Sequence, residues 1–203
     1  VPARRVPTAT VAEARHAANV AASAFPHWSA TGPAERRQLL DRAAAILERR
    51  GEDVVRTIAA ETGGTQAWGE LNVKLGASIL REAAATTTRI AGEIIPANRP
   101  GMTSMAIRQP CGVVLSMAPW NAPIVLGTRA LAAPLACGNT VVFKASELCP
   151  GVHALLGEIF AEAGFPNGVV SVLHNAEAGA TDVIEALVAH PAVRRVNFTG
   201  STR

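Results

Sequence analysis

The sequence predicts an α/β fold: a Rossmann-like parallel sheet with helices on both faces, preceded by an N-terminal helical layer and an oligomerisation hairpin. Three observations predict it. Short apolar runs begin near Val113, Thr140, Val169 and Arg194, at spacings of 27, 29 and 25 residues. Helical stripes lie between them, as in Val152, Leu155, Leu156, Ile159, Phe160 and Ala163, and again in Val183, Ile184, Leu187 and Val188. The runs are continuously apolar (Val113-Val-Leu, Val141-Val-Phe, Val169-Val-Ser-Val-Leu173, and Val193 to Phe198), the pattern of strands covered on both faces. Strand, helix and strand at this period form a βαβ unit, whose crossover makes the sheet parallel.

Ahead of the sheet, Thr10-x-x-Glu13 is a capping box that opens a helix through about Trp28, rich in Ala17, Ala18, Ala21 and Ala24. Gly32-Pro33-Ala34-Glu35 opens a second, with proline at the first helical position and an acid in the first turn. Leu39, Leu40, Ala43, Ile46 and Leu47 recur along it, and Gly51 is expected to end it. A third helix runs from Glu52 to Glu61 and stops at Gly63-Gly64. A fourth is expected from Gln66 to Ile90, with Leu71, Leu75 and Ile79 on its apolar stripe. Residues 1–90 therefore form an N-terminal helical layer ahead of the sheet. Trp68, at the start of the fourth helix, is placed to line a pocket, although core filling is the commoner role for such a tryptophan. Gly92, Pro96, Asn98, Pro100 and Gly101 then make a turn-rich link, and Met102 to Arg108 is an exposed strand. Residues 91–110 are assigned as linker and oligomerisation hairpin, and 111–203 as the Rossmann-like portion.

Composition narrows the function. With 203 residues, 49% hydrophobic and 17% charged, the chain can bury a sizeable core and is not of the disordered class. The net charge of +3 is spread over basic pairs, Arg4-Arg5, Arg36-Arg37, Arg49-Arg50 and Arg194-Arg195, each expected on a solvated face. Five Phe, three Trp and no Tyr argue against a stacking platform for nucleic acid. Three cysteines without a C-x-x-C pair disfavour zinc and fit a reducing compartment. No signal-type or spanning apolar stretch is visible, so a cytoplasmic protein without a membrane partner is expected. The chain begins at Val1, so its true N-terminus is expected to lie further upstream.

The chemistry-bearing residues fall where strands end. Pro119 stops the first strand, having no N–H for the ladder, and Trp120-Asn121 follow as the chain leaves the sheet. Ligands bind beyond the carboxyl ends of such strands, and a primary amide there suits a developing oxyanion. The plainer alternative makes Asn121 a turn residue. After the second strand comes Lys144-Ala-Ser146-Glu147. A carboxylate can accept both hydroxyls of an adenosine ribose while an ammonium donates nearby; the alternative is a surface ion pair. Thr199-Gly200-Ser201-Thr202 resembles a strand-to-helix turn that could hold a pyrophosphate, or an ordinary N-capped turn. His174-Asn175, after the third strand, is less telling. Neither a G-x-G-x-x-G nor a Walker pattern is present.

Taken together, Pro119-Trp-Asn121, Leu135-Ala-Cys-Gly-Asn-Thr-Val-Val-Phe-Lys144-Ala-Ser-Glu147, Ala163-Gly-Phe-Pro-Asn-Gly-Val-Val170 and Phe198-Thr-Gly-Ser-Thr202 resemble the aldehyde dehydrogenase superfamily, in its order and spacing. The segments Trp120 to Arg129 and Ser146 to Pro150 are most similar to its bacterial aromatic-aldehyde branch, the salicylaldehyde, vanillin and benzaldehyde dehydrogenases. The resemblance implies oxidation of an aldehyde to an acid through a cysteine thiohemiacetal and thioester, with NAD accepting hydride. It implies that Asn121 donates to the oxyanion, that Lys144, Ser146 and Glu147 form the ribose signature, and that Glu147 favours NAD over NADP. Gly200 and Ser201 would meet the pyrophosphate, and Met117, Ala118, Trp120 and Phe198 the cofactor channel. Trp68, Ala122 and Arg129 would line the substrate tunnel, Arg129 reaching an ortho or phenolic oxygen unless it is a helix-surface residue or part of a buried structural ion pair.

Ala145 replaces the proline commoner in the ribose signature, and His174-Asn-Ala-Glu-Ala-Gly179 lacks the glycine pattern of many relatives. The family's nucleophilic cysteine and general-base glutamate lie beyond Arg203. None of Cys111, Cys137 or Cys149 takes the nucleophile's place, so the catalytic domain is expected to be absent and this chain alone inactive. The full-length parent is expected to be a homodimer or homotetramer. The alternatives are an inactive nucleotide-binding fragment, a semialdehyde-type or CoA-acylating relative, and a structural α/β protein with no nucleotide site.

Overall fold

The computed structural model describes residues 5–201. Four helices come first: α1 (Val11–Ala30), α2 (Pro33–Arg49), α3 (Gly51–Thr62) and α4 (Gln66–Thr86). The capping box forms as expected: the Glu13 N–H donates to Thr10 Oγ1 at 3.3 Å, and the Thr10 N–H to Glu13 Oε2 at 2.7 Å. Gly51 does not terminate α2. It opens α3 directly, and Arg50 alone forms the junction. Gly63 closes α3 at φ 69°, a left-handed cap that favours glycine.

The fourth helix differs from expectation in two ways. Its α-helical part ends at Thr86, and Thr87–Arg89 tightens into a 3₁₀ turn. Its inner face is also not the Leu71–Leu75 stripe, since both leucines are exposed. The buried face is Gly69, Asn72, Val73, Gly76, Ala77, Leu80, Ala83 and Ala84. Small residues bring the backbones together: a Cβ on Gly76 would stand 2.7 Å from Ile124 Cγ2 and 3.0 Å from Leu47 Cδ2.

A short antiparallel hairpin follows, β1 (Glu93–Ile95) with β2 (Ser104–Ala106). Its apolar side chains stand in solvent, Ile94 at 81% exposure and Met105 at 67%. The parallel sheet comprises β3 (Val113–Met117), β4 (Thr140–Lys144), β5 (Val170–Leu173) and β6 (Val193–Phe198), in the order β5-β4-β3-β6. Between them run α5 (Pro123–Ala136), α6 (Pro150–Glu162) and α7 (Ala180–Val188). The helix α5 is apolar almost all round, so no amphipathic stripe announces it.

Strand alternation sends Val113, Leu115 and Met117 into one core with Val142, α1 and α7. It sends Val114, Val141 and Phe143 into a larger core with α5, α6 and the outer helices α2 to α4. Both faces of β3 and β4 are buried as expected. The run of β6 is not: among the described residues it is an edge of the sheet, with Arg194, Arg195, Val196 and Phe198 exposed.

Two basic pairs also depart from solvated faces. Arg36 is buried, donating to the Ala136 carbonyl at 3.1 Å and to the Thr31 carbonyl. Arg50 is largely covered and paired with Glu158 at 2.8 Å. Arg4 of the first pair lies outside the described residues.

Candidate functional site

The strand order places the site. The chain steps outward from β3 to β4 to β5, then returns to put β6 on the other side of β3. The order therefore reverses between β3 and β6, and an open α/β sheet has its ligand crevice at such a reversal, beyond the carboxyl ends. Met117 pairs with Lys144 on one side and Phe198 on the other, so three of the polar segments share one edge. The Thr199 N–H extends this edge by donating to the Met117 carbonyl at 3.2 Å.

Met117 and Ala118 are buried, whereas Trp120 and Asn121 are exposed just beyond the carboxyl end of β3. Asn121 is held through its backbone. Trp68, on the first turn of α4, donates its indole Nε1–H to the Asn121 carbonyl at 3.2 Å. Behind them the fully buried Asn72 donates to the Trp68 carbonyl at 3.0 Å and accepts from the Val125 N–H at 3.4 Å. Asn72 thus joins the starts of α4 and α5. Among the described residues the Asn121 side-chain amide makes no hydrogen bond, so both its N–H donors are free for a ligand.

Ala122 caps α5, half-buried, and Arg129 lies two turns on, exposed. Seven helical residues bring Ala122 and Arg129 to one face, about 10 Å apart along the axis. Arg129 has no ion pair among the described residues, and its exposure on α5 fits the helix-surface alternative as well as the substrate one.

At the end of β4 the ribose signature is mostly buried. Lys144, 7% exposed, pairs with Glu147. Asn175, at the end of β5, is buried beside them and donates Nδ2–H to Glu147 Oε1 at 3.0 Å. Burial opposes ionisation of Glu147, but Lys144, its own backbone N–H and Asn175 outweigh it and keep the carboxyl below its usual range. The pair is therefore not the exposed surface ion pair weighed as its alternative. Asn175, which looked uninformative in sequence, is the third member of the cluster.

Ser146 is buried and lends its N–H to Nδ1 of His153 at 3.0 Å, and its Oγ accepts from Leu148 N–H at 3.3 Å. His153 and Asn72 carried no sequence signal beyond being polar residues on apolar helical faces. The carboxylate of Glu61, at the end of α3, accepts from Gly151 N–H at 2.7 Å and Val152 N–H at 2.9 Å, capping α6.

Beyond β6, Phe198 is 60% exposed and its ring lies over Gly200. Ser201 is exposed, Thr202 lies outside the described residues, and nothing in the described part extends to a helix after the turn.

The cysteines do not converge on this edge as nucleophiles. Cys111 precedes β3 and Cys137 precedes β4, at the opposite end of the sheet. Cys149 is on the right side, but burial pushes its thiol up to about 12, so it stays protonated. Among the described residues no helix is long and apolar enough to cross a membrane.

Comparison with known proteins gives a consistent answer. The profile of the aldehyde dehydrogenase family matches residues 2–203. The chain is 54% identical over 198 residues to a vanillin dehydrogenase of Pseudomonas fluorescens, covering 98% of this chain and 41% of that protein. It is 45% identical over 195 residues to a salicylaldehyde dehydrogenase of Pseudomonas putida, covering 96% and 40%. The crystal structure of a salicylaldehyde dehydrogenase from Pseudomonas putida G7, complexed with salicylaldehyde, superimposes with TM-score 0.96 at 44% identity, over 97% of this chain and 40% of that one. A NAD-dependent benzaldehyde dehydrogenase from Corynebacterium glutamicum superimposes with TM-score 0.91 at 36% identity, over 97% and 42%. The chain spans about two-fifths of the length of these relatives.

Proposed function

The chain belongs to the aldehyde dehydrogenase family, and from that premise we propose that the whole protein oxidises an aromatic aldehyde to its carboxylic acid with NAD. The observation that carries the proposal is the shared edge. An uncommitted Asn121 amide follows the end of β3, and β4, its neighbour in the sheet, ends in the largely buried Lys144–Glu147–Asn175 cluster.

NAD, when bound, supplies the hydride acceptor. The residues present fit it: Glu147 is charged and accepts hydroxyls, Lys144 adds a cation, and the order reversal between β3 and β6 leaves a crevice beside them. We assign the ribose to Lys144, Ser146 and Glu147, the pyrophosphate to Gly200 and Ser201, and the channel wall to Met117, Ala118, Trp120 and Phe198. Glu147 would repel a 2′-phosphate, which favours NAD over NADP. Asn121 donates to the oxyanion that forms when a cysteine thiolate attacks the aldehyde. That thiolate is assigned to the whole protein and not to the three cysteines of this sequence, for the reasons of position and burial given above.

Trp68, Ala122 and Arg129 form the substrate wall in this reading. Trp68 presents a flat apolar side, and Arg129 suits an anionic or phenolic oxygen on the ring. The exposed hairpin, with Ile94, Met105 and Ile107 in solvent, is assigned to assembly as a homodimer or homotetramer. Three free cysteines fit the reducing cytoplasm that we propose as its compartment.

The test is NADH formation by the full-length protein with salicylaldehyde, benzaldehyde and a short carboxylated aldehyde. The proposal expects the aromatic pair to lead in kcat/KM. A lead for the carboxylated aldehyde would overturn the aromatic assignment, and no turnover with any of them would overturn the reaction.

A further inference from the structure

Asn175 stands two residues past the end of β5 at 8% exposure, and its side chain reaches the cluster at the end of β4. Backbone bonds hold the turn that carries it. The Ala145 N–H donates to the Leu173 carbonyl at 2.8 Å, continuing the β4–β5 pairing past Lys144, and the Ala9 N–H donates to the His174 carbonyl at 2.6 Å.

The partners assign the two ends of the amide. Nδ2 donates to Glu147 Oε1 at 3.0 Å and to the Ala176 carbonyl at 2.9 Å. A carboxylate and a carbonyl only accept, so the group facing both is the nitrogen. The other end has no donor: Oδ1 is enclosed and unpaired among the described residues. A turn-making asparagine uses that oxygen to accept a backbone N–H two residues on, and this one does not. A buried acceptor without a donor destabilises a fold. Neither turn-making nor stability therefore accounts for an asparagine here, and its use lies at Nδ2.

At Glu147 two side-chain donors converge. Lys144 Nζ and Asn175 Nδ2 both bond Oε1, and Oε2 receives neither. Lys144 comes from β4 and Asn175 from beyond β5, so the carboxylate is gripped by one oxygen from two neighbouring strands. It cannot rotate without breaking one of these bonds, and Oε2 is presented in a fixed direction.

We infer that Asn175 is a positioning residue that determines cofactor specificity: with Lys144 it holds Glu147 by Oε1, so that Oε2 meets the ribose hydroxyls and repels a phosphate at the 2′ position. The inference rests on the proposed function, in which Glu147 meets the ribose. A 2′-hydroxyl donates to Oε2, whereas a 2′-phosphate brings acceptor oxygens and negative charge. Without Asn175 the carboxylate can turn aside, which weakens the first contact and relieves the second.

The test is the pair of NAD and NADP dissociation constants for the full-length wild type, Asn175→Ala, Glu147→Gln and the double variant. Asn175→Ala should weaken NAD by about fivefold, for one lost hydrogen bond, and NADP by less than about twofold. With Glu147→Gln already in place, the same substitution should leave the NADP-to-NAD ratio unchanged, because a residue that acts through Glu147 has nothing left to aim. A merely structural Asn175 would lower both affinities together. An unchanged ratio in the wild-type background, or an equal change in both backgrounds, overturns the inference. Should Asn175→Ala fail to fold, a crystal structure of the full-length wild type with NAD decides instead. Ribose hydroxyls on Glu147 Oε2 with Asn175 still on Oε1 support the inference, and any other arrangement overturns it. A wild type that binds neither nucleotide would sink the proposed function itself, a result distinct from a wild type that binds NAD and an Asn175→Ala variant that is indifferent.

Discussion

The ends of β4 and β6 flank the same crevice, yet they are built differently. At the end of β4, Lys144 and Ser146 are buried and Glu147 is braced by Asn175 from β5, while His153 of α6 holds the loop backbone. At the end of β6, one backbone bond from Thr199 to Met117 continues the ladder, and Phe198 turns its ring to solvent. The cause is topological. Strand β4 lies between β3 and β5, so side chains reach its end from both sides, whereas β6 is an edge among the described residues. The lesson is that the polar cluster at the end of β4, to which we assign the adenosine ribose, is held in place by neighbours on both sides.

The largest expected effect tests the segment between these two ends. Asn121→Ala should lower kcat of the full-length protein by about a hundredfold or more, as loss of an oxyanion donor does elsewhere, without weakening NAD binding. Steady-state kinetics beside a cofactor titration would check it, and an equal loss in both would make Asn121 a structural turn residue.

Next comes the charge of the β4 cluster. Glu147→Gln should shift the NADP-to-NAD preference towards NADP by about tenfold, since it removes a charge facing the 2′ position. A ratio of kcat/KM values unchanged by the substitution would detach Glu147 from the ribose.

The preorganisation of the β4 end should also show in pH dependence. Burial holds the folded pKa of His153 down to about 3, from 6.5 as its ordinary value. Below about pH 6.5 the unfolded chain takes up a proton that the folded chain refuses, so folding stability falls as pH falls, by about 1.4 kcal/mol per pH unit until the folded pKa is approached. Thermal melts from pH 7 to pH 5 should show this slope in the wild type and a flatter one in His153→Phe. Equal slopes would contradict the burial argument. The smallest effect is expected at Trp68→Phe, which keeps the ring and removes the bond to the Asn121 carbonyl, at a cost of about 1 kcal/mol in stability. A chemical denaturation curve would detect it.

Much of this architecture is legible in the amino-acid order, because apolar runs and stripes report burial directly. The errors have physical causes. On α4 the buried face is mostly Gly69, Gly76, Ala77, Ala83 and Ala84, with only Val73 and Leu80 as large apolar members, so Leu71 and Leu75 drew the eye to the wrong side. The β6 run carries Arg194, Arg195 and Asn197 between its apolar residues, a polar content that fits its exposed face better than the two-sided burial expected of it. Arg36 is buried because carbonyls 5 and 100 residues away receive it, which no local pattern encodes. The same holds at the site. Asn121, Lys144 and Glu147 stand out at strand ends. Asn72, His153 and Asn175 sit among apolar neighbours, and most of their tasks depend on partners remote in the chain, such as Val125 and Glu147, 53 and 28 residues away.

The central proposal is that the buried cluster at the end of β4 holds the cofactor more firmly than the exposed Phe198 at the end of β6 does. Its most direct test is calorimetric titration of NAD into the wild type, Lys144→Ala and Phe198→Ala. We expect Lys144→Ala to weaken binding by about tenfold or more, because it leaves a buried carboxylate without its cation, and Phe198→Ala to change it by less than about threefold. The reverse order, or equal losses, would contradict the account.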